Sequence, residues 1–176
     1  LSELMAPEEL ATFMEALLVQ YPDATAPRMV LLEQALMAEN PSRADELTAR
    51  LLERTNENQP AKAEPLVAQL YYNTAARKMA EGLTEETQRL LDRSRALFPD
   101  DLDIAVASAS LAFQQDRPEQ ARKIVEEARL AHPESDRPLV VEAEYLASQG
   151  NHKAAASMYQ LALTKQSRVR TELAHA

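Results

Sequence analysis

Three histidines, His132, His152 and His175, are the side chains best suited to general acid–base work or metal ligation. No two of them stand three or four residues apart, the spacing that puts two imidazoles on one helix face to hold a metal ion. Carboxylates occur in adjacent pairs, Glu8-Glu9, Glu85-Glu86 and Glu126-Glu127. Helical neighbours diverge by about 100° around the axis, so such pairs cannot share one reacting atom. Most of them fit the first turn of a helix, where negative charge favours the dipole. There is no cysteine, hence no thiolate nucleophile, thiolate metal site or disulfide. Gly82 and Gly150 are the only glycines, too far apart for a loop that cradles phosphate. No catalytic residue, metal ligand or cofactor is expected, and the chain reads as a non-enzyme.

The elements around these residues must then carry the function. Ala, Leu, Glu, Arg and Gln dominate and aromatics make up 5% of the 176 residues, which predicts an all-α fold without strands. The formal net charge is −9, so the basic footprint for nucleic acid or an anionic membrane surface is missing. No apolar run reaches the roughly 18 residues of a spanning helix, which argues against direct membrane insertion. Leu1 to Pro7 lacks the charged start and apolar core of a signal peptide. A start without Met reads as an excised fragment, so missing targeting signals say nothing of the parent. The absence of cysteine slightly favours a periplasmic over a cytoplasmic location.

Self-comparison reveals a fixed period: the offset from Ala75 to Ala109 and from Ala109 to Ala143 is 34, as it is from Gly82 to Asp116 and from Asp116 to Gly150. Ala121 with Ala155, Ala128 with Ala162, and Pro99 with Pro133 follow the same interval. A period of this length marks a solenoid of one repeated supersecondary unit. Upstream, the offsets from Ala44 to Ala121 and from Pro41 to Pro118 are each 77, or twice 34 plus nine. The polar stretch from Thr55 to Pro65 absorbs the nine as a lengthened loop, placed at about 55–66. Repeats are expected at 25–58, 68–101, 102–135 and 136–169, after a half repeat at 7–22. The tail from Arg168 to Leu173 would begin another.

Proline is tolerated in a helix's first turn or just past its end and costs about 3 kcal/mol inside. Pro7, Pro41 and Pro118 therefore open second helices, Pro27 and Pro138 open first helices, and Pro22, Pro99 and Pro133 follow second helices. Pro60 and Pro65 belong to the inserted loop. Between these markers the apolar residues recur three and four apart, giving two amphipathic helices per unit, for example Leu102 to Gln115 and Pro118 to Ala131. The half repeat carries the stripe Leu10, Phe13, Met14, Leu17 and Leu18. A lone pair cannot bury its stripes and must stack on its neighbours.

With this register the chain resembles the tetratricopeptide repeat (TPR) family, whose 34-residue unit has small residues at positions 8, 20 and 27, a bulky one at 24 and proline at 32. Position 8 is Ala75, Ala109 and Ala143; position 20 is Ala44, Thr87, Ala121 and Ala155; position 27 is Ser94, Ala128 and Ala162. Position 24 is Leu91, Val125 and Tyr159. Small side chains let helices approach closely while the bulky one fills the gap beside them. The pattern thins in the first repeat, where Leu32 and Leu51 take positions 8 and 27, and the aromatic of position 4 survives only as Tyr71. The resemblance implies a right-handed superhelix of antiparallel helix pairs with a concave and a convex face.

The resemblance also implies a concave groove lined by first helices at positions 2, 5, 9, 12 and 13. In this sequence these are Ala26, Met29, Glu33, Leu36 and Met37; Gln69, Tyr72, Ala76, Met79 and Ala80; Asp103, Val106, Ser110, Phe113 and Gln114; Arg137, Val140, Glu144, Ala147 and Ser148. Met29, Tyr72, Val106 and Val140 at position 5 argue against the lysine and asparagine clamp that grips a terminal carboxylate in chaperone-type TPR domains. An apolar, Met-bearing groove suits a helix or extended segment of a protein partner. The implied function is a protein-interaction scaffold within a larger bacterial assembly; the alternative is a spacer holding flanking domains apart. In general character the chain is similar to the periplasmic TPR arms of exopolysaccharide exporters. Open apolar stripes at both ends would favour end-to-end self-association.

Overall fold

The computed structural model describes residues 6–53 and 64–175, with residues 166–175 described through their backbone alone. Among the described residues there are nine α-helices and no strand. They are α1 (Pro7–Gln20), α2 (Thr25–Met37), α3 (Pro41–Leu52), α4 (Glu64–Ala80), α5 (Thr84–Leu97), α6 (Leu102–Gln114), α7 (Pro118–Ala131), α8 (Arg137–Ser148) and α9 (His152–His175). The chain forms two compact units, Leu1–Leu90 and Leu91–Ala176.

The first helix of every pair ends in the same way. Glu39, Gly82, Asp116 and Gly150 all adopt positive φ, between 52° and 78°. Successive offsets along this series are 43, 34 and 34, and 43 is 34 plus nine, so the register is carried across the insertion. The amide that follows each reaches back to the carbonyl five residues earlier: Asn40 to Ala35, Leu83 to Lys78, Arg117 to Ala112 and Asn151 to Leu146, at 2.9 to 3.0 Å. This is the Schellman closure, which satisfies helix carbonyls that would otherwise lack donors. Glycine adopts the required left-handed backbone at two of the four positions without the steric cost a side chain brings. Second helices end differently, with the amides of Tyr21, Phe98 and His132 bonded four residues back and Pro22, Pro99 and Pro133 blocking continuation.

Unit 1 packs α1 on α2, α2 on α3, and α4 against both α2 and α3. Leu32, Ala44, Leu51, Val67 and Ala75 are fully enclosed, each larger aliphatic side chain contributing about 1.5–3 kcal/mol of transfer free energy. Tyr71 is buried too, its hydroxyl 3.0 Å from Thr48 Oγ1, and burial pushes its phenol pKa above the ordinary range. Polar groups inside find helical carbonyls: Thr74 Oγ1 donates to Leu70 O at 2.8 Å. In unit 2, Ala105, Ala109, Ala112, Phe113, Ala121, Ile124, Val125, Ala128 and Val141 form one cluster, with Leu102, Val106 and Tyr145 against it. The alanine columns at positions 8, 20 and 27 all lie inside these cores, where a larger group would hold the helices apart.

Two boundaries differ from the sequence reading. Helix α4 begins at Glu64, so Pro65 lies in its first turn, where a missing amide proton is harmless, and not in the loop. The rest of the inserted loop, 54–63, and Pro60 with it lie outside the described residues. Helix α9 runs unbroken from His152 to His175, so the tail continues the last helix and does not begin another repeat. The counterpart of Pro99 and Pro133 is Ser167, and without proline nothing stops the helix there. Tyr159 at position 24 is 38% exposed, whereas Leu91 and Val125 are buried.

Candidate functional site: the first-helix face

The first helices carry the predicted groove residues, and the two units treat them differently. In unit 1, Met29, Glu33, Met37, Tyr72 and Met79 are half-buried, and Gln69 and Ala76 are exposed. Leu36 was expected on the open face but is 5% exposed, turned inward because it continues the buried stripe of Leu31, Leu32 and Ala35. Arg77 lies across this face. Its guanidinium meets Glu33 at 3.3 Å and the Met37 sulfur at 3.3 Å. Beside it Lys78, only 2% exposed, sends its ammonium to Glu86 at 2.5 Å and to the Met37 carbonyl at 3.3 Å. That carbonyl closes α2, so the cation also sits at the negative end of a helix dipole. Arg89 completes the edge by pairing with Glu39 at 2.5 Å, and this hydrogen bond holds the Glu39 carboxyl below the usual range.

In unit 2 the same face is open at one end. Asp103 and Arg137, both at position 2, pair at 2.5 Å where α6 and α8 begin. Val106 and Val140 are half-buried along the way. At the C-terminal ends of the two helices lies a cleft of about 330 Å³, lined by Ser110, Phe113, Gln114, Val141, Glu144, Tyr145, Ser148 and Gln149. Phe113 and Tyr145 stack in it, ring centroids 4.2 Å apart and planes 16° from parallel. The structure thus brings together five predicted residues, Ser110, Phe113, Gln114, Glu144 and Ser148. Phe113 is also part of the core at 6% exposure, because its stacking partner covers it.

Val141, Tyr145 and Gln149 escaped the sequence reading. Tyr145 occupies position 10, outside the positions that the family resemblance supplied. A signal was present: Gln34, Arg77 and Tyr145 at that position are long side chains able to reach a neighbouring helix pair. In the structure Gln34 Nε2 donates to Pro7 O at 3.0 Å, Arg77 meets Glu33, and Tyr145 stacks on Phe113. In these three repeats position 10 reaches the preceding helices.

The histidines lie elsewhere. His132 caps α7, with Nε2 2.6 Å from Asp100 O, His152 is exposed where α9 starts, and the side chain of His175 lies outside those described. Among the described residues no three potential metal ligands converge, and no helix is long and apolar enough to cross a membrane.

Residues 78–141 match the family model described as tetratricopeptide repeat. No curated protein sequence matches the chain. A solved structure of MamA is similar over 92% of this chain and 89% of its own, with a TM-score of 0.57 and 14% sequence identity, a likeness of fold. Tetratricopeptide repeats generally mediate protein–protein interactions. The chain therefore has a TPR-like helical solenoid fold, with the tetratricopeptide signature over residues 78–141.

Proposed function

We propose that the chain is a non-enzymatic protein-interaction scaffold that receives a partner segment in the α6–α8 cleft. The observation that carries this reading is an aromatic-floored recess whose polar rim, Ser148 apart, is unused among the described residues. Among the described residues, the side chains of Ser110, Gln114, Glu144 and Gln149 make no hydrogen bond or ion pair. Such groups gain partners only from outside, and a few polar groups around an apolar floor are what orient a bound segment. Of the remaining predicted residues, Asp103, Val106, Arg137 and Val140 flank the binding face within unit 2 in this reading, and those from Met29 to Met79 belong to unit 1.

The partner assembly we propose is a bacterial envelope complex of the exopolysaccharide-secretion kind, in the periplasm. Its support is the cysteine-free, arginine- and alanine-rich character of the sequence. End-to-end association of the chain is supported by exposed Phe13 on α1 and by Tyr159 and Leu163 on α9; sedimentation velocity that shows a monomer at every concentration contradicts it. For the binding function, a photo-crosslinking residue at Gln149 in the source cells should give a discrete protein adduct that the same residue at Ala76 does not. Equal yields at both positions, or none at either, would leave the spacer reading in its place.

A further inference from the structure

Glu33 and Glu144 both stand at position 9 of their repeats, and their surroundings differ in one respect. Glu33 is met at 3.3 Å by Arg77, presented by the next first helix, α4. Glu144 is exposed and has no ion pair among the described residues. Of the eight residues lining the cleft, Glu144 is the single charged one. Gln114 ends α6, and Ser148 with its cap Gln149 ends α8, so uncharged polar side chains surround that carboxylate. The half-buried ring of Tyr145 lines the cleft as well, and aromatic faces attract cations. A carboxylate and an aromatic ring act in one direction here, and among the described residues no cation lines the cleft.

We infer that the cleft is a receptor for a basic side chain, an arginine or lysine carried on an amphipathic helix of a protein partner that lies along α8 as α4 lies along α2. The inference rests on the binding function proposed above and specifies the partner's chemistry. The molecule supplies the precedent: α4 presents Arg77 to a position-9 glutamate and the adjacent Lys78 to the last carbonyl of α2. The counterparts on α8 are Glu144 and the last helical residue, Ser148. Guanidinium is favoured over ammonium because it pairs with a carboxylate and stacks on a ring at once.

The probe is a labelled, helix-stabilised peptide of residues 64–80, titrated into the full chain by fluorescence anisotropy, with amide shifts to locate it. It should bind with shifts at Glu144, Tyr145 and Gln149. Glu144→Gln in the chain, or Arg77→Gln with Lys78→Gln in the peptide, should each weaken binding about tenfold, and added salt should weaken the unmodified pair alone. Affinity unchanged by Glu144→Gln but lost with Tyr145→Leu would overturn cation recognition while keeping the binding cleft. Absence of binding, or shifts confined to residues 6–90, would overturn the inference, and indifference to both chain variants would remove the cleft reading with it.

Discussion

Unit 1 and unit 2 follow one register and close their first-helix faces with opposite chemistry. In unit 1, positions 10 and 11 of the second repeat are Arg77 and Lys78, and the face is crossed by ion pairs to Glu33 and Glu86. In unit 2 the same positions are Tyr145 and Leu146, and the face ends in a stacked aromatic pair beside an open cleft. A solenoid needs its small-residue columns to stack; what bridges the first helices is free to vary, and that freedom decides which stretch is sealed by its own side chains and which is left open.

The sharpest way to break the comparison is Lys78→Ala, which leaves Glu86 and the Met37 carbonyl without their cation in a buried setting. A loss of about 2–4 kcal/mol in denaturant unfolding is expected. Lys78→Met combined with Glu86→Gln should recover most of it, since it gives unit 1 the uncharged filling of unit 2. Ala109→Leu should cost about 1–3 kcal/mol by overpacking, whatever the chemistry of position 10, and should lower the melting temperature accordingly.

These two effects mark what the sequence made legible and what it did not. The alanine columns, the turn glycines and the boundary prolines were readable because each answers to a local rule that recurs at the repeat period in several units. The nine-residue offset was readable for the same reason, and Glu39 shows it in its backbone. Lys78 was not readable as buried, because its burial depends on Glu86 and on the end of α2, which belong to other helices. Tyr145 was missed because the family's groove positions leave out position 10, which reaches the groove only when its side chain is long. Phe113 lines the cleft, yet its burial follows from Tyr145. The unbroken α9 follows from an absent proline at Ser167, a missing stop signal being harder to read than a present one.

Smaller effects sharpen the comparison. Asp116→Gly should stabilise unit 2 by about 0.5–1 kcal/mol, because Asp116 holds φ at 56°, and Gly150→Ala should cost a similar amount at φ 74°; thermal melts resolve both. The smallest concerns Glu39, whose carboxyl is held low by Arg89. A depressed folded-state value means that the pair's contribution is complete above the ordinary glutamate range and is lost as pH falls through the lowered value. The difference in melting temperature between the wild type and Arg89→Gln should therefore shrink on acidification, and remain small throughout because both groups face solvent.

The central claim is that Glu33 serves the fold while its counterpart Glu144 serves a partner. It is tested most directly by the yield of the Gln149 photo-adduct in cells expressing Glu33→Gln or Glu144→Gln, with the melting temperature of each variant as its control. The account predicts that Glu33→Gln keeps the adduct and melts slightly lower, and that Glu144→Gln melts as the wild type and loses the adduct. An adduct that survives Glu144→Gln, or that disappears equally with Glu33→Gln, would contradict it.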